Sequence, residues 1–121
     1  MTRQEYVAAC QEENKSLLQS THVLLEYKRD RHRRKIGVVL AYKQPDGQVL
    51  VGYSKCHIGM DEFDRDIGIA KAVKRAAPVN RLVEYLTKRN GDAGVAGDVP
   101  NSLELDVLAM CERAARFFAI R

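Results

Sequence analysis

The chain has 121 residues, 45% of them hydrophobic and 30% charged, with a formal net charge of +4. That is the size of one domain, and the composition is neither poor enough in apolar residues nor charged enough for a disordered chain. No apolar run reaches the roughly 18 residues a membrane-crossing helix needs, the opening MTRQEYVAACQEENK is too polar for a signal peptide, and three scattered cysteines cannot staple a secreted scaffold. A cytoplasmic protein with reduced thiols and no membrane partner is therefore expected.

Thr2 and Glu5 have the spacing of a capping box. Behind them Val7, Cys10, Leu17 and Leu18 recur at helical spacing, with Asn14 as a polar gap, so a helix over 3–19 with a thin apolar stripe is expected. The period then changes to two. HVLLEYK (22–28), KIGVVLAYK (35–43) and QVLVGYSKC (48–56) read as strands. Pro45-Asp46-Gly47 joins the second to the third with a fixed φ, an Asx-type hydrogen bond and a residue tolerant of positive φ. Residues 57–63 read as a loop and 64–77 as a helix with Ile67, Ala70, Val73 and Ala77 on one face. Pro78 suits the first turn of a next helix carrying Val79, Leu82, Val83 and Leu86, which Asn90-Gly91 would end. After a glycine-containing loop at 92–100, Asn101 and Glu104 repeat the capping-box spacing. The last helix, 102–119, has Leu103, Val107, Met110, Cys111, Ala114, Phe117 and Phe118 as its core stripe.

The expected fold is thus a single α+β domain over 1–121: a three-stranded antiparallel β-meander with an N-terminal helix and three C-terminal helices. Such a meander has two faces and two edges to cover, which points to a homodimer or higher homo-oligomer.

The charge is concentrated. Residues 28–35 hold six cations and one anion, a net +5, so the other 113 residues sum to −1. A solvated hairpin turn and a phosphate-holding surface both fit such a segment, with Arg29, Arg31, Arg33 and Arg34 as the nucleic-acid contacts in the second case. A second cationic set lies on the later helices. Lys71, Lys74 and Arg75 share one face, and Arg113 and Arg116 share another beside Phe117. An arginine fork for phosphate and a ring for a base are what a nucleotide-like ligand needs, and Phe63, Arg75, Arg113 and Arg116 are the candidate ligand-binding residues. Local ion pairing, such as Glu112 with Arg116 at i, i+4, is the plainer explanation of the same arginines.

Asp61, Glu62, Asp64 and Asp66 could bind a divalent cation, but acids at a helix start with Lys71, Lys74 and Arg75 at its end also match the helix dipole. Asp46 with Lys55 imitates a nuclease core, yet Tyr53 stands where the second carboxylate would be. Cys56-His57 has no partner pair at zinc-ligand spacing. No cofactor, metal or catalytic residue is expected.

GYSKC (52–56) followed by DEFDRDIGIAKAVKRA (61–76) resembles a pattern in small phage-encoded proteins. The matching positions are Gly52, Tyr53, Ser54, Cys56, Asp61, Phe63, Gly68, Ala70, Arg75 and Ala76. ERAARFF (112–118) is similar to the ending of the same proteins. Among characterised groups the chain resembles the phage Thoeris anti-defence sponges. That likeness implies an oligomer in the host bacterial cytoplasm that sequesters a cyclic nucleotide-type immune signal without cleaving it, aromatic and arginine side chains gripping base and phosphate. Two alternatives stay open: a nucleic-acid-binding or CRISPR-inhibiting phage protein using the basic turn 28–35, and a small metal-dependent phosphoesterase using the carboxylates of 61–66.

Overall fold

The computed structural model describes residues 2–19, 23–56, 63–88 and 101–118. Helix α1 (Arg3–Gln19) is followed by strands β1 (Val23–Arg29), β2 (Lys35–Lys43) and β3 (Val49–Lys55), and helix α2 (Arg65–Arg75) comes next. A two-residue strand β4 (Ala77–Pro78) leads directly into α3 (Val79–Lys88), and a 3-10 turn at Asn101–Leu103 opens α4 (Glu104–Phe117). The expected loop at 57–63 except Phe63, the loop at 92–100, the Asn90-Gly91 stop and the end of the last helix at 119 lie outside the described residues.

Local chemistry accounts for most of these boundaries. At the start of α1 the Glu5 amide donates to Thr2 Oγ1 at 3.1 Å, and the threonine hydroxyl donates to Glu5 Oε1 at 3.3 Å. Helix α2 starts on Asp64, whose Oδ1 accepts from the amides of Asp66 and Ile67 at 2.9 and 3.0 Å. The β2–β3 turn forms as its residues require. Asp46 Oδ1 accepts the Gln48 amide at 2.9 Å, and Gly47 takes φ +91°, a conformation that costs glycine little.

The sheet is antiparallel throughout, in the order β1-β2-β3-β4. It has four strands rather than the expected three, because Leu50 and Val51 pair with Pro78 and Ala77. Pro78 reads as a helix-opening residue, but it lies at the sheet edge, where its missing N–H leaves no gap in the ladder. Ala77 therefore belongs to the sheet and not to the end of the preceding helix.

Both sheet faces are covered from within the chain. On one, Val39, Ala41, Val51 and Tyr53 form a core with Leu82 and Leu86 of α3 and Val107, Met110 and Ala114 of α4. On the other, Val38 and Leu40 pack against Ile69 and Ala72 of α2, and α1 packs on α2. The buried residues of α2 are Gly68, Ile69, Ala70 and Ala72, and Val73 packs partly on the same core; Ala70 and Val73 of the expected stripe thus face inward, and Gly68, Ile69 and Ala72 add a second buried side. A helix pressed between a sheet and another helix has two buried sides, and a one-stripe pattern finds only one of them. The two faces expected to need a second copy are thus covered, while β1 stays an open edge of the sheet.

Two further expectations are corrected. Asn14 is no gap in the α1 stripe. It is 2% exposed, and its Nδ2 donates to the Asp66 carbonyl at 3.0 Å, tying α1 to the first turn of α2. The α-helical part of the last helix begins at Glu104 with Leu103 at its N-cap and no side-chain cap, so the Asn101–Glu104 spacing marks a 3-10 turn instead.

Candidate functional site

Helix α2 approaches β3 with its backbone. A Cβ on Gly52 would stand 2.0 Å from the Ala72 carbonyl oxygen, and Ser54, 3% exposed, donates its hydroxyl to the Gly68 carbonyl at 2.7 Å. Tyr53, between them, points into the opposite core. The Gly52-Tyr53-Ser54 run is thus a docking strip: absent Cβ, core anchor, buried donor.

Where α2 and the end of β3 diverge beside the first turns of α1, they leave a cleft of about 270 Å³. Strand β3 and the residue after it supply Ser54, Lys55 and Cys56. One stripe of α2 and its cap supplies Asp64, Ile67, Gly68, Lys71 and Arg75. Helix α1 adds Arg3 and Tyr6, and Phe63 closes one side. Four cations and one acid line it, and the Asp64 carboxylate is already engaged by the α2 amides. Lys55 Nζ donates to Ser102 Oγ at 2.7 Å, which leaves two of its three N–H donors. Two rings, Tyr6 and Phe63, stand among the cations. The volume is near the lower end of ordinary small-ligand sites, about 300–1,000 Å³.

The four expected ligand-binding residues are divided by the sheet. Phe63 and Arg75 line this cleft, whereas Arg113 and Arg116 are on α4, which packs on the other face. Arg113 Nη1 reaches Glu26 Oε1 on β1 at 2.5 Å, an ion pair that ties α4 to the sheet. The grouping of all four in one site is therefore corrected. Arg3, Tyr6, Lys55 and Lys71 were not among the expected ligand-binding residues. Lys71 and Arg75, four apart on one helix face, were the signal available in the sequence.

The basic segment is a tight, ordered turn. Asp30 Oδ1 accepts the amides of His32 and Arg34 at 2.8 and 2.9 Å, and Asp30 Oδ2 accepts Arg34 Nε at 2.9 Å. These bonds, the Arg34 amide first, hold the Asp30 carboxyl below the ordinary carboxylate value. Arg33 adopts φ +63°, and Arg29 Nη1 donates to its carbonyl at 3.1 Å. Lys28 pairs with Asp106 at 3.0 Å, and Lys35 Nζ sits 4.1 Å from the Tyr27 ring centroid. Of the expected nucleic-acid set, Arg34 is thus spent on the turn and Arg29 braces it, while Arg31 and Arg33 have no ion pair among the described residues.

Comparison with protein-family models, with curated proteins and with solved structures finds no match for this chain.

The carboxylates of 64–66 serve the fold. Asp64 caps α2, and Asp66 Oδ2 accepts Gln11 Nε2 at 3.1 Å; Asp61 and Glu62 lie outside the described residues. Among the described residues no three His, Cys, Asp or Glu side chains gather as a metal site. Asp46 lies at the opposite end of the β2–β3 ladder from Lys55, since Lys43 pairs with Val49 and Gly37 with Lys55. Cys10 and Cys111 are buried, and burial pushes the Cys111 thiol up to about 12. Cys56 is half-buried at the cleft, and His57 lies outside the described residues. No described helix is long and apolar enough to cross a membrane.

Proposed function

We propose that this chain is a non-enzymatic binder of a small, phosphate-bearing nucleotide-type ligand, held in the cleft between α1, α2 and the end of β3. Its role would be that of a phage anti-defence protein that sequesters a cyclic nucleotide-type signal, as the resemblance of GYSKC…DEFDRDIGIAKAVKRA implies. The observation that carries the binding reading is the lining itself: Arg3, Lys55, Lys71 and Arg75 around the Tyr6 and Phe63 rings. Guanidinium and ammonium groups hold phosphate oxygens, and an aromatic face accepts a base. The groups nearest to catalytic chemistry are engaged in the fold, the Ser54 hydroxyl on Gly68 and the Asp64 carboxylate on the α2 amides. One chain supplies every lining residue, so the reading needs no second copy.

The test is calorimetry with cyclic mononucleotides, linear mononucleotides and the matching phosphate-free nucleosides, followed by heat release and mass spectrometry. Phosphate-bearing ligands should bind at least about tenfold more tightly than nucleosides, the gain of one charge-assisted hydrogen bond or more. They should return unaltered. Equal affinity for nucleosides would remove the phosphate from the reading, and recovery of a hydrolysed product would make the protein an enzyme.

A further inference from the structure

The cleft and the basic turn stand at the same end of the molecule. Lys28, Gly37 and Lys55 form one row across β1, β2 and β3, so the β1–β2 turn and the outgoing end of β3 lie side by side, with the start of α2 packed above. Side-chain contacts join the two continuously. Phe63 lines the cleft and meets Tyr27 edge-on, ring centroids 6.3 Å apart. Arg65 Nε donates to the Tyr27 hydroxyl at 2.9 Å, and Lys35 lies over the Tyr27 ring. Lys35 pairs with Arg29 across the ladder, and Arg29 holds the carbonyl of Arg33.

Among the described residues, the acids along this line are already engaged. Asp30 is taken by Arg34 and the turn amides, Asp64 by the α2 amides, and Asp66 by Gln11 and, at 3.6 Å, Arg65. Of the six cations of 28–35, Arg34 and Lys28 are balanced by Asp30 and Asp106, which leaves Arg29, Arg31, Arg33 and Lys35 with their charge. Cations with aromatic rings between them, tracking one direction, are the footprint of a single-stranded nucleic acid: charge for the backbone, rings for the bases.

We infer that the ligand of the cleft is an oligonucleotide, one of whose units occupies the cleft while the following phosphates pass Phe63 and Tyr27 to Arg31 and Arg33. This rests on the cleft being a nucleotide site and adds that the site continues onto the turn. A mononucleotide would use only the first station.

The experiment is fluorescence anisotropy with labelled single-stranded oligonucleotides of one to eight units, linear and cyclic, over a range of salt. It uses the wild-type chain, an Arg31→Gln/Arg33→Gln pair and a Lys71→Gln/Arg75→Gln pair. Affinity should rise over the first few units. The turn pair should weaken the longer strands about tenfold, reduce the slope of log K against log salt by about 1.4 for two lost phosphate contacts, and leave mononucleotide binding unchanged. The cleft pair should weaken every length. A rise limited to cyclic ligands would restrict the class to cyclic oligonucleotides and still require the loss in the turn pair. Binding of mononucleotide with no gain on lengthening, or a gain that survives the turn pair, overturns this inference and leaves the cleft reading standing. Absence of binding at every length, one unit included, overturns both.

Discussion

At the scale of single residues, several polar side chains are occupied in holding the chain together. Asn14, a polar gap in the sequence pattern, is the clearest. Its buried amide joins α1 to α2 through the Asp66 carbonyl, so Asn14→Ala should cost about 1–2 kcal/mol by loss of the bond and its packing. A urea midpoint equal to wild type would show that the contact contributes nothing. Asp30 gives a pH prediction. Its folded value is depressed, so its contribution is complete above the ordinary value of 3.8 and disappears as pH falls through the lower folded value. The His32 and Arg34 amide resonances should therefore titrate together, with a midpoint below 3.8. A midpoint above that figure would mean the turn does not stabilise the carboxylate. Among the thiols, Cys56 is half-buried at the cleft, whereas Cys111 is buried and its burial pushes the thiol up to about 12, which disfavours the reactive thiolate. A thiol reagent should label Cys56 first, and bound nucleotide should slow it. Labelling of Cys111 ahead of Cys56 would contradict the burial described.

At the scale of elements, the decisive contact is α2 on β3. Because the Gly52 Cβ position meets the backbone of Ala72 rather than a movable side chain, Gly52→Ala must push the whole helix away. We expect about 3 kcal/mol of destabilisation, at the upper end of ordinary overpacking, read as a lowered urea midpoint. An unchanged midpoint would mean that α2 does not sit this close. That contact also marks where sequence reading stops. The Thr2–Glu5 cap, the Pro45-Asp46-Gly47 turn and the α3 stripe depend on neighbours within a few residues, and their elements stand almost where the spacing puts them. The pairing of Ala77–Pro78 with β3 depends on residues more than twenty-five positions away, and two residues are too few to carry a period. The covering of both sheet faces was legible in one place. Ile36 to Tyr42 is almost unbroken in apolar residues, the mark of a strand buried on both sides, although the segment also reads as part of a period-two series. The candidate site was half legible. Lys71 with Arg75 is a helix-face pattern, but nothing local tells that Arg113 and Arg116 fall across the sheet, or that Arg3, Tyr6 and Lys55 come to meet Arg75.

At the scale of the whole molecule, the question is whether a second copy is needed. The two layers of helices leave β1 as the long open edge of the sheet. That edge carries Glu26, Lys28 and Arg29 in a seven-residue strand, and charged side chains on an edge oppose strand-to-strand pairing. Glu26 and Lys28 are moreover tied to Arg113 and Asp106 of α4, so reorienting them toward a partner strand would break two ion pairs. The exposed apolar residues Leu105 and Phe117 lie twelve positions apart on α4, which places them about 120° from one another around the helix axis, too far for a single stripe. The described surface therefore offers no broad apolar area of the kind a stable dimer buries. The free protein should sediment as a monomer near 13.7 kDa at micromolar concentration. If an oligonucleotide spans the cleft and the turn of one copy, its addition should raise the mass by that of the bound strand and no more. A species of twice the protein mass, with or without ligand, would overturn this; its return to monomer in Leu25→Pro would trace the pairing to the β1 edge.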